Sequence, residues 1–237
     1  MMPSCIPKSY SNRVLASLPA IEMRQLTPHL LPVDLPRDLT LHEPGQVVNT
    51  VFFPEAGICS IVAAMEDGMT IEVGIIGRDG FVGAPVVLGA DHSPNRSFMQ
   101  IAGHGYKVKA NILIEQAEAS SPLRLCLLRS VQALIVQTAQ TAACNRVHEL
   151  HERLARWLLM CRDRVQSDRL HITHEFLATM LGTRRSSVTV AAGTLEKAGL
   201  ISHKRGHETI ANYRGLIDAA CECYKIAHDE SVRLGLL

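Results

Sequence analysis

His174-Glu-Phe-Leu-Ala-Thr-Met-Leu-Gly-Thr-Arg-Arg-Ser-Ser-Val-Thr-Val-Ala-Ala-Gly193 carries the pattern of two short helices crossed at a glycine turn. Ala178 falls midway along the first helix, where a small side chain lets the second approach. Gly182, four residues on, supplies the positive φ that a sharp turn requires. Leu177, Leu181, Val188 and Ala191 form an apolar seam at helical spacing. The start of the second helix is polar: Arg184, Arg185, Ser186, Ser187 and Thr189. A helix with cations and hydroxyls at its N-terminal end suits the major groove of duplex DNA.

The segment that follows strengthens that reading. Thr194–Gly199 closes the second helix, with Gly199 placed as a C′ glycine. Leu200–His203 and Glu208–Asn212 then read as a hairpin around Lys204, Arg205, Gly206 and His207, which sets cations where a wing would meet phosphate. The unit is a winged helix-turn-helix, and residues 215–237 read as a closing helix and tail.

Upstream, two textures alternate. Residues 1–36 are proline-rich and read as irregular, with one or two short helices near Ser11–Thr27. From Leu39 to about Ala110, short apolar runs separated by glycine turns predict strands at Val47–Phe53, Gly57–Met65, Thr70–Ile76, Ser97–Ala102 and Tyr106–Val108, a barrel or sandwich pattern. Asn111–Ala119 reads as a short helix. Ser121 is placed to cap the next, with Pro122 in its first turn. That helix runs to about His148 and is apolar on two adjoining stripes. Leu125, Leu128, Ile135, Ala142 and Asn145 make one; Leu127, Val131, Leu134, Thr138 and Thr141 make the other. Such a helix is either buried centrally or paired with a copy of itself. Glu149–Val165 forms a further helix, with Leu150, Leu154, Trp157, Leu158 and Cys161 expected inward and Arg153, Arg156, Arg162 and Arg164 largely outward. Gln166–Leu170 is a polar connection.

Composition narrows the function classes. Over 237 residues the net charge is +1, yet residues 1–120 are net −4 and residues 121–237 net +5. An acidic half followed by a basic half implies two jobs. Aromatic residues are only 4%, against single-strand binding by stacked bases. The longest apolar run of the first half, Val51–Met65, is broken by Pro54, Glu55 and Gly57, so no membrane span is expected. The N-terminus lacks a charged start and an apolar core, and the expected location is cytoplasmic. Seven cysteines, an odd number, read as reduced thiols.

Other chemistry is not expected. Cys5 stands alone near the N-terminus, which argues against a four-cysteine iron–sulfur cluster there. Cys221-x-Cys223 has no sequence neighbour to complete a site and reads as helix packing. His148 with His151, and His171 with His174, are spaced i,i+3 but lack a His-Glu-x-x-His frame; they read as solvent-exposed or hinge histidines. No metal ligand is assigned. Phosphate loops and nucleophile elbows are absent, so the chain is not expected to be an enzyme.

A β-rich first half, a long helix and a winged helix-turn-helix, in that order, resemble the CRP/FNR family of bacterial transcription regulators over roughly Leu39–Asn212. Thr173, Ala178, Gly182, Val188, Leu195, Glu196, Gly199, Leu200 and Ile201 stand in the family's positions. Pro44-Gly45, Phe53 and Gly57 resemble its early barrel motif. The resemblance implies an α+β protein: an antiparallel β-barrel or jelly roll of the cyclic-nucleotide-binding kind over residues 1–120, a dimerisation helix over 121–148 and a DNA-binding domain over 149–237. It also implies a homodimer and contact with RNA polymerase. Members that bind cyclic nucleotides carry Gly-Glu at the start of a phosphate cassette and Arg-Ser/Thr-Ala at its end. Here Gly83 is followed by Ala84 and Pro85, so the ribose-binding carboxylate is missing. Arg96-Ser97 is retained, but Phe98 replaces the small residue. The resemblance thus leaves Gly83, Arg96, Ser97 and Thr138 as the candidate contacts of an unidentified small-molecule effector other than cyclic AMP.

The expected function is a homodimeric, sequence-specific regulator. Arg185 and Ser186 reach base edges; Arg184, Ser187 and Thr189 divide between bases and backbone; Thr173, Lys204 and Arg205 meet phosphate. Two alternatives remain open. One is a signalling module whose winged domain contacts protein. The other is a DNA-binding regulator with a vestigial pocket, governed by abundance or thiol oxidation.

Overall fold

The computed structural model describes residues 10–66, 68–204 and 206–237. Two short helices, α1 (Arg13–Ala16) and α2 (Ala20–Leu26), precede the first sheet strands. These are β1 (Leu31–Leu35), β2 (Thr40–His42), β3 (Thr50–Pro54), β4 (Ile58–Ala64) and β5 (Thr70–Ile76). A turn of helix, α3 (Ala84–Val87), leads to β6 (Arg96–Ile101) and β7 (Gly103–Lys109). Helices α4 (Ala110–Ala119), α5 (Ser121–Val147) and α6 (Leu150–Val165) follow. The last portion holds β8 (Arg169–Leu170), α7 (His174–Met180), α8 (Arg185–Lys197), β9 (Ile201–Lys204), β10 (His207–Ile210), α9 (Tyr213–Ala219) and α10 (Glu222–Arg233).

Antiparallel strands ordered β1-β7-β3 and β2-β6-β4-β5 make two sheets of a β roll. Leu35, Cys59, Ile76, Val82 and Met99 fill one part of its interior, and Val51, Phe53, Phe81 and Val108 another. The roll is open rather than a closed barrel. The segment read as irregular contributes β1, which pairs with β7 from Leu31 opposite Lys107 to Leu35 opposite Gly103. Pro32 in this strand is tolerable because β1 lies at the sheet edge.

The long helix begins one residue earlier in its capping than expected. Ser120, not Ser121, is the N-cap, and its hydroxyl accepts the Leu123 N–H at 3.2 Å. Along α5, Leu123, Leu127 and Val131 are buried against the roll, whereas Leu125, Leu128 and Ile135 are exposed. Gln137 on the same helix acts as a strand mimic. Its Oε1 accepts the Ile75 N–H at 2.6 Å, and its Nε2 donates to the Ile75 carbonyl at 3.1 Å.

Helix α6 opens with a capping box between Glu149 and Glu152. Two of the arginines expected outward are buried instead: Arg156 and Arg164 are each 5% exposed. The amphipathic pattern shows one apolar face, but α6 is covered on two sides, by the winged unit and by the roll. Arg164 spends its charge on Asp79 of the roll at 2.6 Å, and Arg156 donates to Thr141 of α5 at 2.8 Å. Gly77 lets this approach happen, since a Cβ there would lie 2.8 Å from the Arg164 Cβ. Beside that pair, Trp157 Nε1 donates to Glu72 Oε1 at 2.6 Å, and Ser60 Oγ donates to Glu72 Oε2 at 2.5 Å. Burial pushes the Glu72 carboxyl up to about 7, against these two donors and the more distant Arg164 and Arg156.

Candidate nucleic-acid interface

Thr173 is the N-cap of α7, its hydroxyl oxygen accepting the Phe176 N–H at 3.2 Å. The turn after α7 is closed by Gly182 at φ 61° and by the Thr183 N–H donating to the Ala178 carbonyl at 2.9 Å. Leu177, Ala178, Leu181, Val188, Ala191 and Leu195 are buried together with Leu154 and Leu158 of α6, a three-helix core. Packing that face fixes which residues of α8 look outward.

Those residues are Arg185, Ser186, Thr189 and Val190, with Arg184 exposed at the N-cap and Ser187 half-buried. Val190 is 71% exposed, an apolar surface that the sequence reading did not single out. It lies four residues after Ser186 and so on the same face. A methyl-bearing side chain there is suited to the thymine methyl group. Arg185 lies 3.8 Å from Glu175, an exposed pair of little energetic weight.

The wing is the β9–β10 hairpin, in which His207 pairs with Lys204 around Gly206 at φ 82°. Lys204 is exposed. Arg205 lies outside the described residues. A groove of about 390 Å³ runs between helices and wing, lined by Thr173, His174, Glu175, Arg185, His203 and Gly206.

Under the groove sits a polar cluster that periodicity could not reveal. Glu208 is 1% exposed, and its Oε1 faces His174 Nε2 at 3.0 Å and His203 Nδ1 at 2.7 Å. His174 Nδ1 in turn lies 3.0 Å from Thr189 Oγ on α8. Helix α7, helix α8 and the wing are thus tied through one carboxylate. Burial raises the Glu208 carboxyl above its ordinary value, opposed chiefly by His203. His171 packs edge-on against His207, and the His174 ring lies tilted against that of His203.

The effector candidates occupy separate neighbourhoods. Arg96 and Phe98 share the outer face of β6, the guanidinium 5.2 Å from the ring centroid. Arg96 also donates to Thr40 Oγ1 at 2.5 Å and lies 3.7 Å from Glu43. Ser97 is buried on the opposite face. Gly83 caps α3 at φ 126°, packed against Val51, and Thr138 on α5 lies beside Gly74.

Another side-chain group, distant in sequence, gathers where α5 ends. Cys144, His148, Cys221 and Cys223 place one ligand atom each within 4.8 Å of one another. Cys221-x-Cys223 therefore has the partners that its sequence surroundings do not offer.

The architecture is thus a β roll joined through a long helix to a winged helix-turn-helix unit. Residues 152–219 match the Crp-like helix-turn-helix domain. A global nitrogen regulator from Nostoc is 25% identical over 181 residues, covering 71% of this chain and 80% of that protein. Among solved structures, a c-di-GMP-responsive global regulator from Xanthomonas campestris superposes with a TM-score of 0.67 at 16% identity, covering 82% of this chain and 100% of that one. A CRP/FNR-family transcriptional regulator from Thermus thermophilus gives 0.64 at 18% identity, over 80% and 98%. The chain carries a Crp-like helix-turn-helix domain over residues 152–219, and its fold is similar to that of CRP/FNR-family transcription regulators. Among the described residues no helix is long and apolar enough to cross a membrane.

Proposed function

We propose that the chain acts as a homodimer reading a two-fold duplex-DNA site, with residues 1–120 as sensing domain, 121–148 as dimerisation helix and 149–237 as reading domain. The observation that carries this reading is the exposed face of α8. It presents Arg185, Ser186, Thr189 and Val190 while Val188, Ala191 and Leu195 are locked in the core. Arg185 and Ser186 meet base edges, Arg184, Ser187 and Thr189 bases and backbone. Thr173, Lys204 and Arg205 contact phosphate. The exposed Leu125, Leu128, Ile135 and Ala142 lie along one seam of α5 at near-heptad spacing, which supports pairing with the same helix of a second copy. Two heads so joined would span half-sites about 34 Å apart. Contact with RNA polymerase is part of the same proposal and rests on the family resemblance alone.

The engagement of Arg96 by Thr40 and Glu43 favours a second reading of the roll, in which the cyclic-nucleotide place is vestigial and the signal enters elsewhere. One solved structure of similar fold is that of a c-di-GMP-responsive regulator. Calorimetric titration with cyclic AMP, cyclic GMP and cyclic di-GMP separates these readings.

Selection of bound duplexes from genomic DNA, followed by competition with single-base variants, tests the interface. Arg185→Ala should lose about 1–3 kcal/mol of discrimination at one base pair per half-site. An unchanged sequence preference would remove Arg185 from the base contacts.

A further inference from the structure

We propose that Cys144, His148, Cys221 and Cys223 bind a single thiophilic cation of the zinc class, pinning the junction between the long helix and the reading head. Cys144 lies in the last turn of α5 and His148 is its C-cap. Cys221 is the N-cap of α10, and Cys223 lies in that helix's first turn. Folding brings these two helix ends together over a separation of 77 residues.

The geometry is that of one ion. Cys144 Sγ and Cys221 Sγ are 3.4 Å apart, and Cys223 Sγ is 3.6 Å from His148 Nδ1. A tetrahedral zinc ion with bonds of about 2.3 Å to sulfur and 2.0 Å to nitrogen separates its ligands by about 3.5–3.8 Å. Cys144, Cys221 and Cys223 are free thiols here, without the S–S contact of about 2.0 Å that a disulfide has. A multi-iron cluster would spread its ligands over several metal atoms, further than this group allows. Calcium and magnesium demand oxygen ligands, whereas three sulfurs and an imidazole select a softer ion.

The surroundings complete the site. Cys144, Cys221 and Cys223 are buried and form a cluster of their own, apart from the aliphatic cores. His148 Nε2 lies 3.2 Å from Glu222 Oε2. A proton held between those atoms leaves the Nδ1 lone pair facing the sulfurs, the carboxylate–histidine–metal arrangement of many zinc proteins. Three thiolates and a neutral imidazole around a dication carry one net negative charge. Buried Arg156, which interacts electrostatically with Cys144 and Cys223, offsets it. Binding transfers the three thiol protons to solvent. With four protein ligands the site is closed, which makes it structural rather than catalytic.

Its position gives it a consequence. Helix α6, the first element of the reading head, begins two residues after His148. An ion joining His148 and Cys144 to α10 holds the bend at which the head leaves the long helix.

Anaerobic titration of the reduced, metal-stripped full chain with cobalt(II) tests the proposal. The expected result is one equivalent per chain, with intense visible bands of tetrahedral cobalt and thiolate charge-transfer absorption, displaced by one equivalent of zinc. Zinc should raise the thermal midpoint of the wild-type chain. Cys221→Ser should abolish both effects, and Cys126→Ser, outside the cluster, should retain them. Because Cys221→Ser removes a buried thiol and can unfold the region, two further variants are informative. His148→Cys should bind cobalt with a shifted, four-thiolate spectrum, and Glu222→Ala should weaken affinity by about 10–100-fold. Absence of stoichiometric binding by the folded wild-type chain overturns the site. So does a weak octahedral spectrum, or a spectrum unchanged in both Cys221→Ser and His148→Cys.

Discussion

Two buried carboxylates, Glu72 and Glu208, join parts of this molecule, and they do so with opposite kinds of partner. Glu72 fixes the reading head to the β roll and receives two neutral donors, the Ser60 hydroxyl and the Trp157 indole N–H. Glu208 fixes the wing to helices α7 and α8 and faces two imidazoles, which can carry positive charge. Burial raises both carboxyls above their ordinary value. The difference lies in what ionisation leaves behind. At Glu72 the anion sits in a dry contact with its nearest partners uncharged; at Glu208 it has protonatable bases within hydrogen-bond reach. A charge between domains without an adjacent cation makes the contact depend on the carboxyl's own proton, whereas a charge facing two imidazoles can be offset by their protonation.

Glu72→Gln should separate the two most strongly. The folded-state carboxyl titrates near 7 rather than 4.5, so the folded chain binds more protons than the unfolded one between those values. Stability therefore falls as pH rises from 4.5 to 7, by an amount on the order of 3 kcal/mol, and stays reduced above. Glutamine fits the site: its oxygen can accept the Trp157 N–H while its amide donates to a rotated Ser60 hydroxyl. Denaturant midpoints taken from pH 4.5 to 8 should lose the wild-type decline that Glu72 contributes. A variant that keeps the full slope would assign it to another group and dissolve the contrast with Glu208.

Glu208→Gln sharpens the other side. The two imidazole contacts would meet a neutral oxygen, and charge-assisted hydrogen bonds are roughly twice as strong as neutral ones. A loss of about 2 kcal/mol is expected, together with weaker DNA binding through a wing no longer held to α7. A gain of stability, as for Glu72→Gln above pH 7, would show that the imidazoles do not compensate the buried charge.

Legibility in the sequence followed the range of the interactions. The helix-turn-helix was readable because its determinants are local: Ala178, Gly182 and the seam through Val188 and Ala191 lie within one short segment and are buried or turned as expected. Strand β5 was read to the residue at Thr70–Ile76, between two glycine turns. Strand β1 was missed because its pairing with β7 spans some seventy residues and Pro32 disguises it. Arg156 and Arg164 were read outward because a helical period registers one apolar face and is blind to a second partner. The histidine clamp under the wing and the cysteine–histidine group at the end of α5 were invisible for the same reason. Their members come from different helices and strands, and only the tertiary fold makes them neighbours.

Ser60→Ala makes the smallest change and the most specific one. The Ser60 hydroxyl donates to Glu72 Oε2 and so favours the ionised form. Removing it leaves Trp157 as the remaining close donor and moves the Glu72 carboxyl further above about 7. The cost should be about 1 kcal/mol at pH 8, where the lost bond was to an anion, and roughly half of that at pH 5, where it was to a neutral acid. The decline of stability with pH should accordingly extend to higher pH than in the wild type, while Glu72→Gln combined with Ser60→Ala should show no such extension. An equal loss at both pH values would mean that Ser60 serves packing alone. The Glu72 carboxyl would then be set by burial, which raises it, opposed among its close donors by the tryptophan N–H alone.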